Sequence, residues 1–141
     1  MGSDNLRKIC WGITNEEFLN YEYNMKDNII QTKTFVFAER IVKLYRYLSE
    51  EHREYVLSKQ VLRSGTSIGA NIEETIGAGT RKEFLQKINI SYREARETAY
   101  WLRLLQSGEY ISTSQFESLH DDCSELIRIL GSIQKSTKEN M

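Results

Sequence analysis

The sequence predicts an all-α protein, an antiparallel up-and-down four-helix bundle with an N-terminal arm. Three observations predict it. Proline is absent from all 141 residues, so no helix interior carries the residue that costs roughly 3 kcal/mol there. Apolar residues recur at steps of three and four in four successive segments, the period of one helix face. The segments are joined by short polar or glycine-bearing stretches, which set consecutive helices side by side and antiparallel. The length is that of one domain, and a hydrophobic content of 40% places the chain among folding sequences.

Residues 1–26 read as an arm or leader. The first five residues, MGSDN, resemble a leader remnant, and Trp11, Phe18, Tyr21 and Tyr23 then give the segment aromatic side chains to dock on a neighbouring surface. Thr14 followed by Glu17 has the capping-box spacing, so a short helix is expected to start there. The bundle itself is assigned to residues 27–136. Helix one spans about Lys26 to Leu48, with Ile30, Phe37, Ile41, Leu44 and Leu48 on one face. Helix two spans about Arg53 to Ile76, and its stripe is Leu57, Val61, Gly65, Ile68, Ile72 and Ile76. Its acidic start suits the helix dipole, and Gly77 and Gly79 suit its end. Helix three opens on Thr80 with Glu83 three later, repeats Leu85, Ile88, Tyr92, Ala95, Ala99 and Leu102, and stops at Gly108. Helix four opens on Ser114 with Glu117 three later and repeats Phe116, Leu119, Cys123, Leu126, Leu130 and Ile133. Residues 137–141 read as a frayed tail.

The stretch RSGTSIGANIEETIGAGT, 63–80, is glycine-rich without being a phosphate loop. Gly65 and Gly69 lack the P-loop spacing and no lysine follows them, and Gly77-Ala-Gly79 follows a helix and lacks a third glycine. Gly65 and Gly69 instead lie on one side of helix two, where a missing side chain admits another backbone. Ser64, Ser67, Asn71 and Glu74 form a polar stripe beside them, expected to build a network between helices two and three. Asn71 is expected to be at least partly buried and hydrogen-bonded, fixing helix register as buried polar residues do in coiled coils. On helix three, Ile90, Trp101 and Leu104 share a second face with Glu94 and Glu97. That face is a candidate oligomer interface together with Gly65 and Gly69; a broader core stripe is the other reading of it.

The sequence offers little for catalysis. Glu117-Ser-Leu-His120 matches half of a carboxylate di-iron site, but such a site needs a second motif and two further glutamates. Cys10 and Cys123 have no zinc-ligand spacing. No catalytic residue, metal, cofactor or small-molecule substrate is assigned. Two unpaired thiols suit a reducing cytoplasm, and no apolar run approaches the ~20 residues of a membrane span. Net charge is −1, but it is unevenly spread. Residues 33–63 carry seven bases against four acids, and 81–103 carry six against three. Residues 109–125 carry Glu109, Glu117, Asp121, Asp122 and Glu125 with no lysine or arginine.

Residues 71–105, NIEETIGAGTRKEFLQKINISYREARETAYWLRLL, resemble the four-helix bundle family of proteins encoded in 23S ribosomal RNA intervening sequences, also called S23. Ser67-Ile68 precede Asn71-Ile72-Glu73-Glu74, then come the Gly77-Ala78-Gly79 turn, Phe84, and the run Glu94 to Leu105. The resemblance covers about residues 27–135; Thr75 and Ala99 depart from the family pattern. It implies a left-handed bundle, a ring-like homopentamer and no enzymatic activity. A related branch, the accessory protein of diversity-generating retroelements, is similar in fold and works with RNA and a reverse transcriptase through a basic surface. Two functional classes stay open. One is RNA or nucleic-acid binding through Lys33, Arg40, Lys43 and Arg46 on helix one. The other is a protein-interaction scaffold whose acidic helix-four segment recruits a basic partner.

Overall fold

A computed structural model of the chain describes the backbone of residues 15–141 and the side chains from Ile29 onward. It contains four helices, α1 (Asn15–Glu51), α2 (Leu57–Thr75), α3 (Arg81–Ser107) and α4 (Thr113–Glu139). Packing runs in a closed cycle, α1 on α2, α2 on α3, α3 on α4, and α4 back on α1. This is the up-and-down bundle that short connections impose. Trp11 falls outside the described residues, as do the side chains of Phe18, Tyr21 and Tyr23 on which the docking expectation rests. The helix that carries Phe18, Tyr21 and Tyr23 is not a separate arm helix: it starts one residue after Thr14 and continues unbroken through residue 26 into α1. No glycine or proline stands between Asn15 and Glu51 to end it.

The core follows the 3-4 spacing closely in α1 and α4. Ile30, Phe37, Ile41, Leu44 and Leu48 are buried, and so are Leu119, Cys123, Leu126, Leu130 and Ile133. In α3 the buried line is rotated toward Phe84, Ile88, Ser91, Ala95, Thr98, Leu102 and Leu105, leaving Leu85, Tyr92 and Ala99 half-covered. Two hydroxyl residues hold that line because each finds a partner inside. The Ser91 hydroxyl donates to the Ile68 carbonyl at 2.9 Å, and the Thr98 hydroxyl meets that of Ser64 at 2.9 Å. An unpaired hydroxyl there would cost about 1–3 kcal/mol. Ile76, assigned to the core stripe of α2, is 68% exposed. It lies past the last helical residue, where the backbone tightens into i→i−3 bonds from Ile76 to Glu73 and Gly77 to Glu74 and turns the side chain out.

The helix ends show where local chemistry differs from the simple signals. α2 begins at Leu57, later than expected, because Glu54 organises its start. The Glu54 carboxylate accepts from the backbone N–H groups of Val56, Leu57 and Ser58 at 3.0, 2.9 and 2.6 Å. Arg53, just before it, sits at φ 51°. At α3, Thr80 caps as expected by accepting from the Glu83 N–H, but Glu83 reaches back to Gly79 rather than to Thr80. At α4 the capping box is Ser112 with Gln115, two residues before the Ser114–Glu117 pair. Its two reciprocal bonds measure 3.1 and 2.8 Å. Gly108 ends α3, yet it keeps φ −82°, and the left-handed position falls on Glu109 at φ 65°. The N–H of Tyr110 then bonds the Leu105 carbonyl and that of Glu109 bonds Gln106, the Schellman pattern. The tail is helical through Glu139: Thr137 is buried, and Arg81 of α3 donates to the Asn140 carbonyl.

Candidate functional site

Each helix seam disposes of one group of the sequence candidates. On the α1–α2 seam, a Cβ built on Gly65 would lie 2.8 Å from both Ile41 Cγ atoms, and one on Gly69 would lie 3.4 Å from Thr34. The small-residue side of α2 is therefore used inside the chain. Gly65 is buried in the monomer and is withdrawn as an interface residue.

The α2–α3 seam holds the polar network expected there, with a different membership. Ser64 belongs to it through Thr98, and Glu74 reaches Lys87 at 2.9 Å. Asn71 is half-buried, but its amide donates to the Ser67 carbonyl one turn back in the same helix at 2.8 Å. It does not cross to α3. Arg63 spans the seam to both Glu94 and Glu97. Trp101 is half-buried against the monomer's own core, and its indole N–H is buried without an acceptor. Among the candidate interface residues of α3, Ile90 and Leu104 are likewise half-covered, whereas only Trp101 of the three packs against the core cluster.

The α1–α4 seam joins the basic and the acidic candidate faces to each other. Lys33 pairs with Glu125, and Arg40 pairs with Asp122 at 2.5 Å while donating to the Ser118 hydroxyl at 2.8 Å. Arg46 faces Glu50 one turn on at 3.7 Å. Lys43 has no ion-pair partner among the described residues. Two of the four proposed nucleic-acid contacts are thus held by the acids proposed to recruit a basic partner.

A second basic surface lies between α3 and α4. Arg96 and Arg103 are seven residues apart on α3 and line a cleft of about 500 Å³ with Tyr100, His120, Ser124 and Arg128. No carboxylate lines it, and none of the three arginines is ion-paired among the described residues. Tyr100, Arg103 and His120 also line a wider cleft of about 1160 Å³ at the bundle end. There Tyr47, His52, Tyr110 and Phe116 gather. His52 Nε2 lies 3.0 Å from the Tyr47 hydroxyl, and its ring stands edge-on to Tyr47 and Tyr110. The excess of bases over acids in 81–103 was the available sequence signal. Which arginines stay unpaired depends on the neighbouring helix, and periodicity does not give that.

The remaining chemistry is sparse. The described residues hold no group of three His, Cys, Asp or Glu side chains able to bind a metal. Burial pushes the Cys123 thiol up to about 12, assisted by the Asp122 charge, so it stays protonated and unreactive. No helix among the described residues is long and apolar enough to cross a membrane.

Comparison with known proteins gives these surfaces a family context. The family model described as 23S rRNA-intervening sequence protein matches residues 26–132. A solved structure from Bacteroides thetaiotaomicron VPI-5482, a protein with unknown function from the S23 ribosomal protein family, is 52% identical. The similarity covers 78% of this chain and 98% of that one, with a TM-score of 0.77. Among curated proteins none matches. With the bundle, its capped helices and more than half of the chain in agreement, this protein belongs to the 23S rRNA-intervening sequence protein family.

Proposed function

We propose that this protein is a non-enzymatic, cytoplasmic homo-oligomer that binds RNA. The observation that carries the assembly is the outer surface of α1. Ile29, Phe35, Val36 and Val42 are exposed there, Phe35 by 63%, among charged neighbours. Exposed apolar residues collected on one element mark an interaction surface. A second copy of the chain is the partner in this reading, and the homopentamer implied by the family resemblance is its expected form. The non-enzymatic reading is supported by a sequence whose two histidines form no nucleophile–base motif and by the buried Cys123 thiol, pushed up to about 12. RNA is favoured over recruitment of a basic protein because Asp122 and Glu125 already hold Arg40 and Lys33.

Multi-angle light scattering tests the assembly. The protein is expected to elute as a multimer at micromolar concentration, and Phe35→Glu with Val42→Glu is expected to yield a monomer of unchanged helicity. A wild-type monomer at that concentration overturns the oligomer. An RNA mobility shift at low salt that fades as salt rises tests the ligand, since phosphate contacts release counterions.

A further inference from the structure

The nucleic-acid reading above, on which this inference rests, can be given a place and a substrate class. Arg96 and Arg103 are two helix turns apart, about 10 Å along the axis, so they project from the same flank of α3. Tyr100 lies between them in sequence and is 51% exposed. α4 completes the cleft with Arg128, His120 and Ser124. Cations left unpaired beside one another repel, by an amount comparable to a helix ion pair and opposite in sign. On the other seams Lys33, Arg40, Arg63 and Lys87 each have a carboxylate on the adjoining helix. The cleft gathers three arginines with no such partner among the described residues and no carboxylate in its lining.

What adjoins the arginines narrows the ligand. The cleft opens through Tyr100, Arg103 and His120 into the larger one holding Tyr47, His52, Tyr110 and Phe116. The acid there is Glu109, at the far end from Arg96 and Arg128. A double helix hides its base faces and has no use for a concave aromatic chamber. A single strand presents both a phosphate track and free base faces, the two features that charged grooves with aromatic platforms recognise. We propose that the α3–α4 cleft binds single-stranded RNA, with Arg96, Arg103 and Arg128 on phosphates and bases stacked on Tyr100 and the chamber aromatics. The lining of the α3–α4 cleft includes neither Trp101 nor any of the exposed α1 residues Ile29, Phe35, Val36 and Val42.

Fluorescence anisotropy of a labelled, mixed-sequence single-stranded RNA decides this. Each phosphate contact contributes about 0.7 to the slope of log affinity against log salt. The triple variant Arg96→Gln, Arg103→Gln, Arg128→Gln is therefore expected to lower that slope by about 2. Tyr100→Ala is expected to weaken binding roughly 5- to 150-fold, as loss of one stacked base does. Lys33→Gln with Arg40→Gln is expected to leave binding unchanged. Binding that survives the triple variant overturns the site while leaving RNA as the ligand. No binding by the wild type at low salt overturns both. Equal competition by the duplex of the same sequence overturns the single-strand assignment, and equal competition by a mononucleotide makes this a nucleotide pocket instead. Circular dichroism confirms that these surface variants keep their helices.

Discussion

Gly65 and Gly69 look alike in the sequence, four residues apart on one helix, and the structure gives them different jobs. A methyl group on Gly65 would collide with the branched Cβ and both Cγ atoms of Ile41, a buried residue with no room to retreat. Overpacking of that kind costs about 1–3 kcal/mol, more than the roughly 1 kcal/mol that alanine gains over glycine in a helix. On Gly69 the same methyl would only touch Thr34 at ordinary contact distance, so the helix gain remains. Gly65→Ala is expected to lower the melting temperature and Gly69→Ala to leave it equal or higher. Equal melts for both would show that Ile41 yields. The spacing of the pair was legible as a close approach of another helix; which helix approaches was not, because the spacing carries no information about the partner. Asn71 illustrates the same limit. Its partial burial was legible, while its hydrogen bond to the Ser67 carbonyl is a choice among nearby acceptors that only the folded geometry makes.

At the level of the helices, existence was written in the 3-4 spacing throughout and facing in α1 and α4, whereas the rotated buried line of α3 and the boundaries were not. Capping motifs with similar letters overlap at Ser112 and Ser114, and only the first makes the reciprocal bonds with its third neighbour. The start of α2 escaped the usual signal because Val56 occupies the cap position and Glu54, two residues earlier, supplies the oxygens. Partial burial pushes the Glu54 pKa up, but three backbone N–H bonds and the Ser58 hydroxyl bring it net below the usual glutamate value. A carboxylate whose pKa is lower when folded stabilises the native state above its unfolded pKa and loses that contribution as pH falls through the folded one. Glu54→Ala is therefore expected to cost about 0.5–2 kcal/mol at neutral pH, the range for a lost N-terminal cap. In urea melts the gap between variant and wild type is expected to narrow on acidification. A gap that is constant with pH would show that the charge of Glu54 contributes nothing.

The whole molecule is a cycle of four seams, and three of them join helices that follow each other in the chain. The sequence displayed the charged groups of the fourth, a basic α1 and an acidic α4, as two separate faces for two separate partners. They are one seam, since helices at opposite ends of the chain are neighbours in a closed bundle, and one-dimensional charge counting cannot register that adjacency. The same blindness hid the α3–α4 arginines, whose isolation is a property of the seam. The bridges Lys33–Glu125 and Arg40–Asp122 therefore have a role in the order of events as the chain folds. Consecutive helices meet after closing only a short loop, whereas α1 and α4 meet only once the two helices between them are in place, and such non-local contacts form late. The bridges thus act as a latch that shuts last and opens first. Interactions absent from the folding transition state appear in the unfolding rate alone. Lys33→Gln with Arg40→Gln is expected to speed unfolding severalfold in stopped flow and leave refolding unchanged, the two exposed pairs together being worth about 1 kcal/mol. Slowed refolding would mean that the ends of the chain find each other early.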